Sequence, residues 1–152
     1  MSATDPADEL PDEIHSRIEA LCAEGDRHAE VDDFERALSS YKEAWMILPE
    51  PKTQWNVATW ILAAAADASF LSGSIADARA FIDGAMQCPD ALGNPFLHLR
   101  RGEVLFEQGE LDGAADELMR AYMGAGPDLF ADEDPKYIRF LGTRALEIET
   151  PG

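Results

Sequence analysis

The chain has 152 residues, of which 30 are Asp or Glu and only 12 are Lys or Arg, so that its formal net charge is −18. Such a balance argues against a nucleic-acid partner, because phosphate binding needs clustered Lys and Arg. Hydrophobic residues make up 46% of the chain, which is enough for a packed core and excludes wholesale disorder. No apolar run reaches the roughly 18 residues that cross a membrane, so a membrane association is not expected.

Residues 1–12 are acidic and are expected to form a flexible tail. They contain neither the positive start nor the apolar stretch of a secretion signal, which favours a cytoplasmic location. Cys22 and Cys88 lie far apart without a C-x-x-C pattern. Two buried or half-buried thiols in a reducing compartment are therefore expected rather than a disulfide.

The first helix pair is predicted over residues 13–49. Its first helix begins near Pro11 or Asp12, and Ile14, Ile18, Leu21 and Cys22 form its apolar side. A second helix is predicted from Phe34 to Leu48 and ends before a proline.

The second pair is predicted over residues 53–89, with a helix from about Thr53 that carries Trp55, Trp60 and Phe70. Because two tryptophans five residues apart do not share a helix face, at least one of them should lie off the core. The third pair covers residues 94–126, and Gly109 separates its two helices.

These predicted pairs share a sequence pattern. A turn residue is followed by an apolar residue, an alanine, a large residue and a second alanine, and each first helix carries a small residue where another helix must come close. The turn residues are Asp32, Gly73 and Gly109; the first alanines are Ala37, Ala78 and Ala114; the second are Ala44, Ala85 and Ala121; the small residues are Gly25, Ala66 and Gly102. Residues 129–152 then predict an acidic turn and a last helix from about Pro135 to Ile148, with Ile138, Leu141, Ala145 and Ile148 on its apolar side.

This pattern resembles the tetratricopeptide repeat (TPR) family, and the resemblance covers Ile14 to Pro127. It implies an all-α fold: a right-handed α-solenoid of three TPR-like helix pairs over residues 13–128, closed by a C-terminal capping helix. The connections at residues 49–52 and 88–94 are longer than is usual in the family.

In the TPR family the first helix of each pair lines a concave groove. The resemblance places at this groove a mixture of aromatic and acidic residues together with a leucine: Asp26, Glu30, Trp60, Asp67, Phe70, Phe96, Leu99, Glu103 and Phe106. Cys22 falls both on this surface and on the predicted core side. Members that bind heat-shock chaperones use lysines and asparagines in the groove to hold a C-terminal carboxylate, whereas Asp26, Asp67 and Glu103 occupy one equivalent place here and disfavour such a ligand.

An acidic, aromatic groove suits a protein partner with Lys or Arg beside apolar anchors, and an arginine over Trp60 or Phe70 would add a cation–π attraction. Two other interpretations remain open. The aromatic residues could pack between repeats, and the acids could simply keep the protein soluble.

No motif indicates catalysis, a metal or a cofactor. His15, His28 and His98 do not pair at metal-ligand spacing, and no H-E-x-x-H, G-x-S-x-G, phosphate loop or G-x-G-x-x-G is present. A non-catalytic protein–protein interaction module is therefore expected.

The segments around residues 92–110, 114–126 and 130–141 look like a group of small acidic stand-alone bacterial TPR proteins, some of which occur beside polymorphic toxins. That resemblance implies an immunity protein that holds a basic toxin domain. The chain is also similar in length, acidity and layout to type III secretion translocator chaperones. A TPR scaffold or adaptor is the third possibility.

Overall fold

The computed structural model describes residues 10–145; most of the predicted tail and the end of the predicted last helix, including Ile148, lie outside this range. The described part contains seven α-helices, two short 3-10 helices and no strand. The α-helices are α1 (Asp12–Glu30), α2 (Phe34–Met46), α3 (Asn56–Leu71), α4 (Ile75–Ala85), α5 (Pro95–Glu107), α6 (Leu111–Ala125) and α7 (Pro135–Arg144), and the 3-10 helices are Lys52–Gln54 and Pro127–Phe130.

The helices stack in pairs. The pairs are α1 with α2, α3 with α4 and α5 with α6; the second helix of one pair packs on the first helix of the next, and α7 packs on α6. The first helices α1, α3 and α5 also contact one another in succession. The predicted all-α solenoid of three helix pairs with a C-terminal helix is thereby confirmed. None of the helices within residues 10–145 is long and apolar enough to cross a bilayer.

Each pair turns in the same way. The turn residues have positive φ values of 60° at Asp32, 88° at Gly73 and 78° at Gly109. The backbone N–H of the residue after each of them donates to a carbonyl group near the end of the first helix. These bonds run from Asp33 N to His28 O, from Ser74 N to Ser69 O and from Glu110 N to Leu105 O, at 2.9, 2.8 and 3.0 Å. Glycine and, less readily, aspartate accept this left-handed conformation, which is why those residue types recur at the turn.

The predicted small residues lie where helices touch. A Cβ atom on Gly25 would meet the Tyr41 ring at 2.5 Å, and one on Gly102 would meet Leu118 Cγ and Cδ2 at 2.7 Å. Ala66 is completely buried and belongs to a core cluster with Ile82 and Leu97.

Two helix boundaries differ from the sequence prediction. Helix α2 ends at Met46 rather than Leu48, because Leu48 precedes Pro49 and is disfavoured in helical conformation. The Lys52 ammonium donates to the carbonyl groups of Trp45, Met46 and Leu48, at the end of this helix, at 3.0, 3.3 and 2.7 Å. Helix α3 consequently begins at Asn56 rather than Thr53, after an extended residue, Trp55.

The last helix is also shorter than predicted. It ends at Arg144, and Ala145 is extended with φ −144° and ψ 140°. The preceding Gly142 and Thr143 are weak helix formers, which accounts for a stop at this point. At the other end of the chain, Leu10 was assigned to the acidic tail but is partly buried against the core that includes Ile18 and Tyr41.

Candidate functional site

A cavity of about 280 Å³ opens between the first helices of the three pairs. It brings together four of the predicted groove residues, Asp26 on α1, Trp60 and Asp67 on α3 and Phe96 on α5. Its remaining lining is Cys22, Ala63, Ala64 and Leu97. The two alanines have short side chains and therefore leave space within the cavity.

Both aromatic residues of this cavity are open to solvent. Trp60 is 59% exposed and Phe96 is 47% exposed, although such large apolar side chains are usually buried. Trp55, five residues before Trp60, is instead buried and donates its indole N–H to Pro49 O at 2.9 Å. One tryptophan therefore belongs to the core and the other to the groove, as predicted, but Trp55 precedes α3, so helix-face spacing is not the cause.

Asp26 lies on the α1 wall of the groove. It is exposed and accepts a hydrogen bond from the Tyr41 hydroxyl at 2.6 Å, which fixes the direction of its carboxylate. Burial and the Asp26 charge together raise the pKa of the neighbouring Cys22 thiol to about 11. At neutral pH this thiol is protonated, so it can contribute packing to the groove but not nucleophilic chemistry.

Asp67 forms the acidic wall on α3. Its carboxylate accepts from Arg100 Nε at 2.7 Å while about a third of the side chain remains exposed. Burial raises the pKa of Asp67, and the positive charge of Arg100 partly opposes this effect. The Arg100 contact therefore orients Asp67 without removing it from the groove surface.

Glu103 and Leu99, in contrast, are buried rather than on the groove surface where the sequence places them. Glu103 has no exposed surface, and its Oε1 accepts from Arg100 Nη1 at 2.8 Å. Leu99 is 2% exposed and packs in a core cluster with Leu118 and Leu141. The reason is the C-terminal segment, whose Leu141 packs on Leu99 and whose Glu133 lies beside Arg100 at this end of α5.

Phe70 and Phe106 are also less exposed than the groove prediction requires. Both are half-buried against the cluster that contains Tyr137 of α7. The Phe70 ring lies 4.6 Å from the Arg100 guanidinium carbon, and the Phe106 ring meets Tyr137 edge-on at 5.4 Å. Glu30 is exposed at the end of α1 but does not line the cavity.

Sequence reasoning missed Arg100, which holds Asp67 and Glu103 in place. A signal was available, because Arg100 is three residues before Glu103 on a predicted helix and that spacing favours an ion pair. Its contact with Asp67 on another helix could not be read from spacing.

Other cavities also lie among the described helices, including one between α1 and α2 that is lined by Leu21 and Met46. An apolar cleft of about 260 Å³ between α2, α3 and α4 is lined by residues that include Trp45, Leu62 and Phe81. A polar pocket between α4, α5 and α6 contains His98, whose ring nitrogens lie 2.8 Å from Glu117 Oε2 and 2.7 Å from Leu92 O. Within residues 10–145 no group of His, Cys, Asp and Glu is placed to hold a metal ion.

Neither the protein-family models nor the curated proteins give a match to this sequence. Solved structures do match. The TPR domain of Arabidopsis OM64 has a TM-score of 0.63 and 18% identity, over 74% of this chain and 85% of that domain.

Two structures of the first TPR domain of RPAP3 are also similar. One, from Spaghetti (RPAP3) bound to the HSP90 peptide SRMEEVD, has a TM-score of 0.64 and 15% identity, over 84% of this chain and 92% of the other. The human RPAP3 domain has a TM-score of 0.66 and 16% identity, over 84% and 94%. At these identities the likeness concerns the backbone arrangement, and it shows that the chain has the fold of a tetratricopeptide repeat domain.

Proposed function

We propose that the protein is a non-catalytic interaction module that binds a segment of a protein partner in the groove between α1, α3 and α5. The observation that carries this proposal is the pair of exposed aromatic residues, Trp60 and Phe96, in one cavity with two oriented carboxylates. Interface energy is commonly concentrated in a few aromatic anchors, and tryptophan is the most enriched of them.

The negative charge of the groove indicates which charge the partner segment should carry. Asp26 on α1 and Asp67 on α3 are the acidic residues of the cavity, and none of the described residues that line it is basic. A lysine or arginine entering between them would meet two carboxylates and the face of Trp60, where a cation–π contact is worth about 0.5–2 kcal/mol. An acidic peptide such as the SRMEEVD peptide bound by the RPAP3 domain would be repelled by the same walls. We therefore propose a basic segment with an apolar anchor.

Alanine substitution of the exposed aromatic residues tests the groove. With a partner captured from the native cell and identified by mass spectrometry, we expect Trp60→Ala to weaken its binding by about tenfold or more, because a central anchor is lost. Helical circular dichroism and the thermal melt should remain close to those of the unsubstituted protein, since Trp60 is largely exposed.

The matched control is Met123→Ala. Met123 is 79% exposed on α6 and does not line the groove, so it tests whether any exposed apolar side chain would have the same effect. Equal binding by the unsubstituted protein, Trp60→Ala and Met123→Ala would place the partner elsewhere, for example at the apolar cleft between α2 and α4.

The most specific form of this proposal is toxin immunity. It rests on the resemblance of the sequence to small acidic bacterial TPR proteins found beside toxins and on the acidic groove described here. In that case the protein acts in the cytoplasm, and co-expression should protect cells from a basic toxin domain encoded by a neighbouring gene. Trp60→Ala should then protect less well than Met123→Ala, and a failure of the unsubstituted protein to protect or to bind would rule this form out.

A secretion chaperone is the alternative form. Its partner would be an exported translocator, and the complex would form through an extended apolar segment. Identification of the captured partner separates the two: a toxin domain supports immunity, and a secretion substrate supports the chaperone. Capture of several unrelated proteins through the same groove would instead indicate a TPR scaffold.

A further inference from the structure

Three carboxylates converge on one arginine beneath the C-terminal segment. Arg100 Nε lies 2.7 Å from Asp67 Oδ1, and its Nη1 lies 2.8 Å from Glu103 Oε1 and 3.4 Å from Glu133 Oε1. The Arg100 side chain is 7% exposed and Glu103 is completely buried. One guanidinium carries a single positive charge, so the cluster has surplus negative charge if all three carboxyl groups are ionised. Such a surplus is costly around the buried Arg100 and Glu103 side chains.

The second oxygen of Glu103 is the unusual feature of the cluster. Glu103 Oε2 is buried, and no donor among residues 10–145 reaches it. A buried carboxylate oxygen without a donor is strongly unfavourable, whereas a protonated carboxyl can itself donate. Glu103 and Glu133 both contact Arg100 Nη1, at 2.8 and 3.4 Å, so the Glu133 carboxylate is the neighbouring acceptor for a proton on Glu103.

We propose that Glu103 is a neutral carboxylic acid at neutral pH and that its Oε2–H donates to the Glu133 carboxylate. This bond ties α5 to the segment that precedes α7. It would also satisfy both oxygens of Glu103, one as acceptor from Arg100 and one as donor. The proposal does not depend on what the groove binds.

The charged groups around Glu103 are consistent with a held proton. Asp67 from α3 and Glu133 from the segment before α7 add negative potential, and Arg100 on α5 supplies the positive charge that opposes it. The charge of Glu103 contributes to the raised pKa of Tyr137 on α7. Lys136 pairs with Glu107 rather than with Glu103. On α6, Glu117 is engaged by His98 and Arg101. Burial first, and Glu133 next, raise the pKa of Glu103 to about 9.

This proton has a definite effect on stability. The pKa of Glu103 is about 9 in the folded protein against an ordinary value of 4.5, so the folded state holds one more proton than the unfolded state between these values. The stability contributed by the proton is complete below the ordinary value and is lost as the pH rises through 9. Across this window the unfolding equilibrium constant should rise by up to about tenfold per pH unit, equivalent to about 1.4 kcal/mol.

Carboxyl-carbon NMR of the protein labelled at glutamate gives the direct test. The Glu103 signal should titrate far above its ordinary value of 4.5, and Glu133→Ala should move its midpoint to lower pH because a neighbouring negative charge is removed. A Glu103 midpoint below pH 7 would overturn the proposal, because the side chain would then be mostly ionised at neutral pH. So would an unchanged midpoint in Glu133→Ala, because the proton would then not be shared.

Urea unfolding between pH 6.5 and 8 gives an independent test. Glu103→Gln keeps an acceptor for Arg100 and a donor for Glu133 but cannot titrate, so its unfolding constant should rise less steeply with pH than that of the unsubstituted protein. Glu24→Gln, at an exposed position on α1, is the control and should keep the original slope. Equal slopes for Glu103→Gln and the unsubstituted protein would contradict the proposal, and the NMR titration of the unsubstituted protein decides it even if Glu103→Gln does not fold.

Discussion

Gly102 shows how a single missing side chain sets the distance between two helices. A Cβ atom there would lie 2.7 Å from Leu118 Cγ and 3.1 Å from the Leu118 backbone nitrogen. Leu118 is completely buried, so neither its side chain nor its backbone can move aside freely. The close contact of α5 with α6 therefore requires glycine, although glycine inside a helix costs about 1 kcal/mol relative to alanine.

We expect Gly102→Ala to lower the free energy of unfolding by about 1–3 kcal/mol, because overpacking outweighs the better helix propensity of alanine. Gly142→Ala is the matched control, since Gly142 is also helical and a Cβ there would meet nothing within 4 Å. The control should be neutral or more stable by up to about 1 kcal/mol. Urea unfolding followed by circular dichroism measures both, and a Gly102→Ala protein as stable as the control would refute the close-approach explanation.

At this scale the sequence predicted the glycines well and the groove residues only in part. A glycine in the middle of an apolar helix stands out without any structure, and Gly25 and Gly102 were found in this way. Asp26, Asp67 and Glu103 occupy equivalent places in the repeat, yet only the first two reach the groove. Matching positions in a sequence repeat do not reveal which copy a later segment of the chain will bury.

The element that creates this difference is α7. Its Tyr137 is 4% exposed, contacts the rings of Phe70 and Phe106, and lies within 3.4 Å of Glu107 through its hydroxyl. Ile138 and Leu141 add to the same cluster on α6. The last helix thus covers this end of the solenoid and partly buries Phe70 of the second copy and Phe106 of the third, whereas Phe96 stays exposed.

Tyr137→Ala should consequently destabilise the whole protein by about 3–5 kcal/mol, as is typical when a buried aromatic side chain is removed. Arg139→Ala, at an exposed position on the same helix, should change stability by no more than about 0.5 kcal/mol. Thermal unfolding by calorimetry distinguishes two outcomes. A lower, still single transition is expected, whereas an unchanged main transition with a separate early one would mean that α7 is not coupled to the repeats.

The helix pairs and their turns were predictable because the signals are local: three-and-four spacing of apolar residues, a left-handed turn residue, and alanines at the crossing points. The start of α3, in contrast, could not be predicted from such local signals. It depends on Lys52 closing the end of α2 and on the Trp55 indole bonding to Pro49 O, contacts between segments that no periodic pattern records.

Taken as a whole, the molecule carries far more negative than positive charge, and most of its cations are already engaged. Arg79, Arg100 and Arg101 each pair with more than one acid. The remaining acids repel one another over the surface, which favours solubility and attracts basic partners but works against the compact state. Exposed pairs such as Arg36–Asp33 and Arg120–Asp116 offset this only slightly, since such pairs contribute about 0–1 kcal/mol.

Added salt should therefore stabilise the folded protein at neutral pH. Raising the ionic strength from about 0.01 to about 0.1 M shortens the screening length from about 30 Å to about 10 Å, which weakens long-range repulsion more than it weakens contacts within buried clusters. We expect the urea midpoint to increase with NaCl at pH 7, where the formal net charge is −18. The same titration near the sequence pI of 4.3 is the control, because the net charge is then close to zero and the increase should disappear. A urea midpoint that falls with salt at pH 7 would mean that specific surface ion pairs, rather than overall repulsion, dominate the electrostatics of this fold.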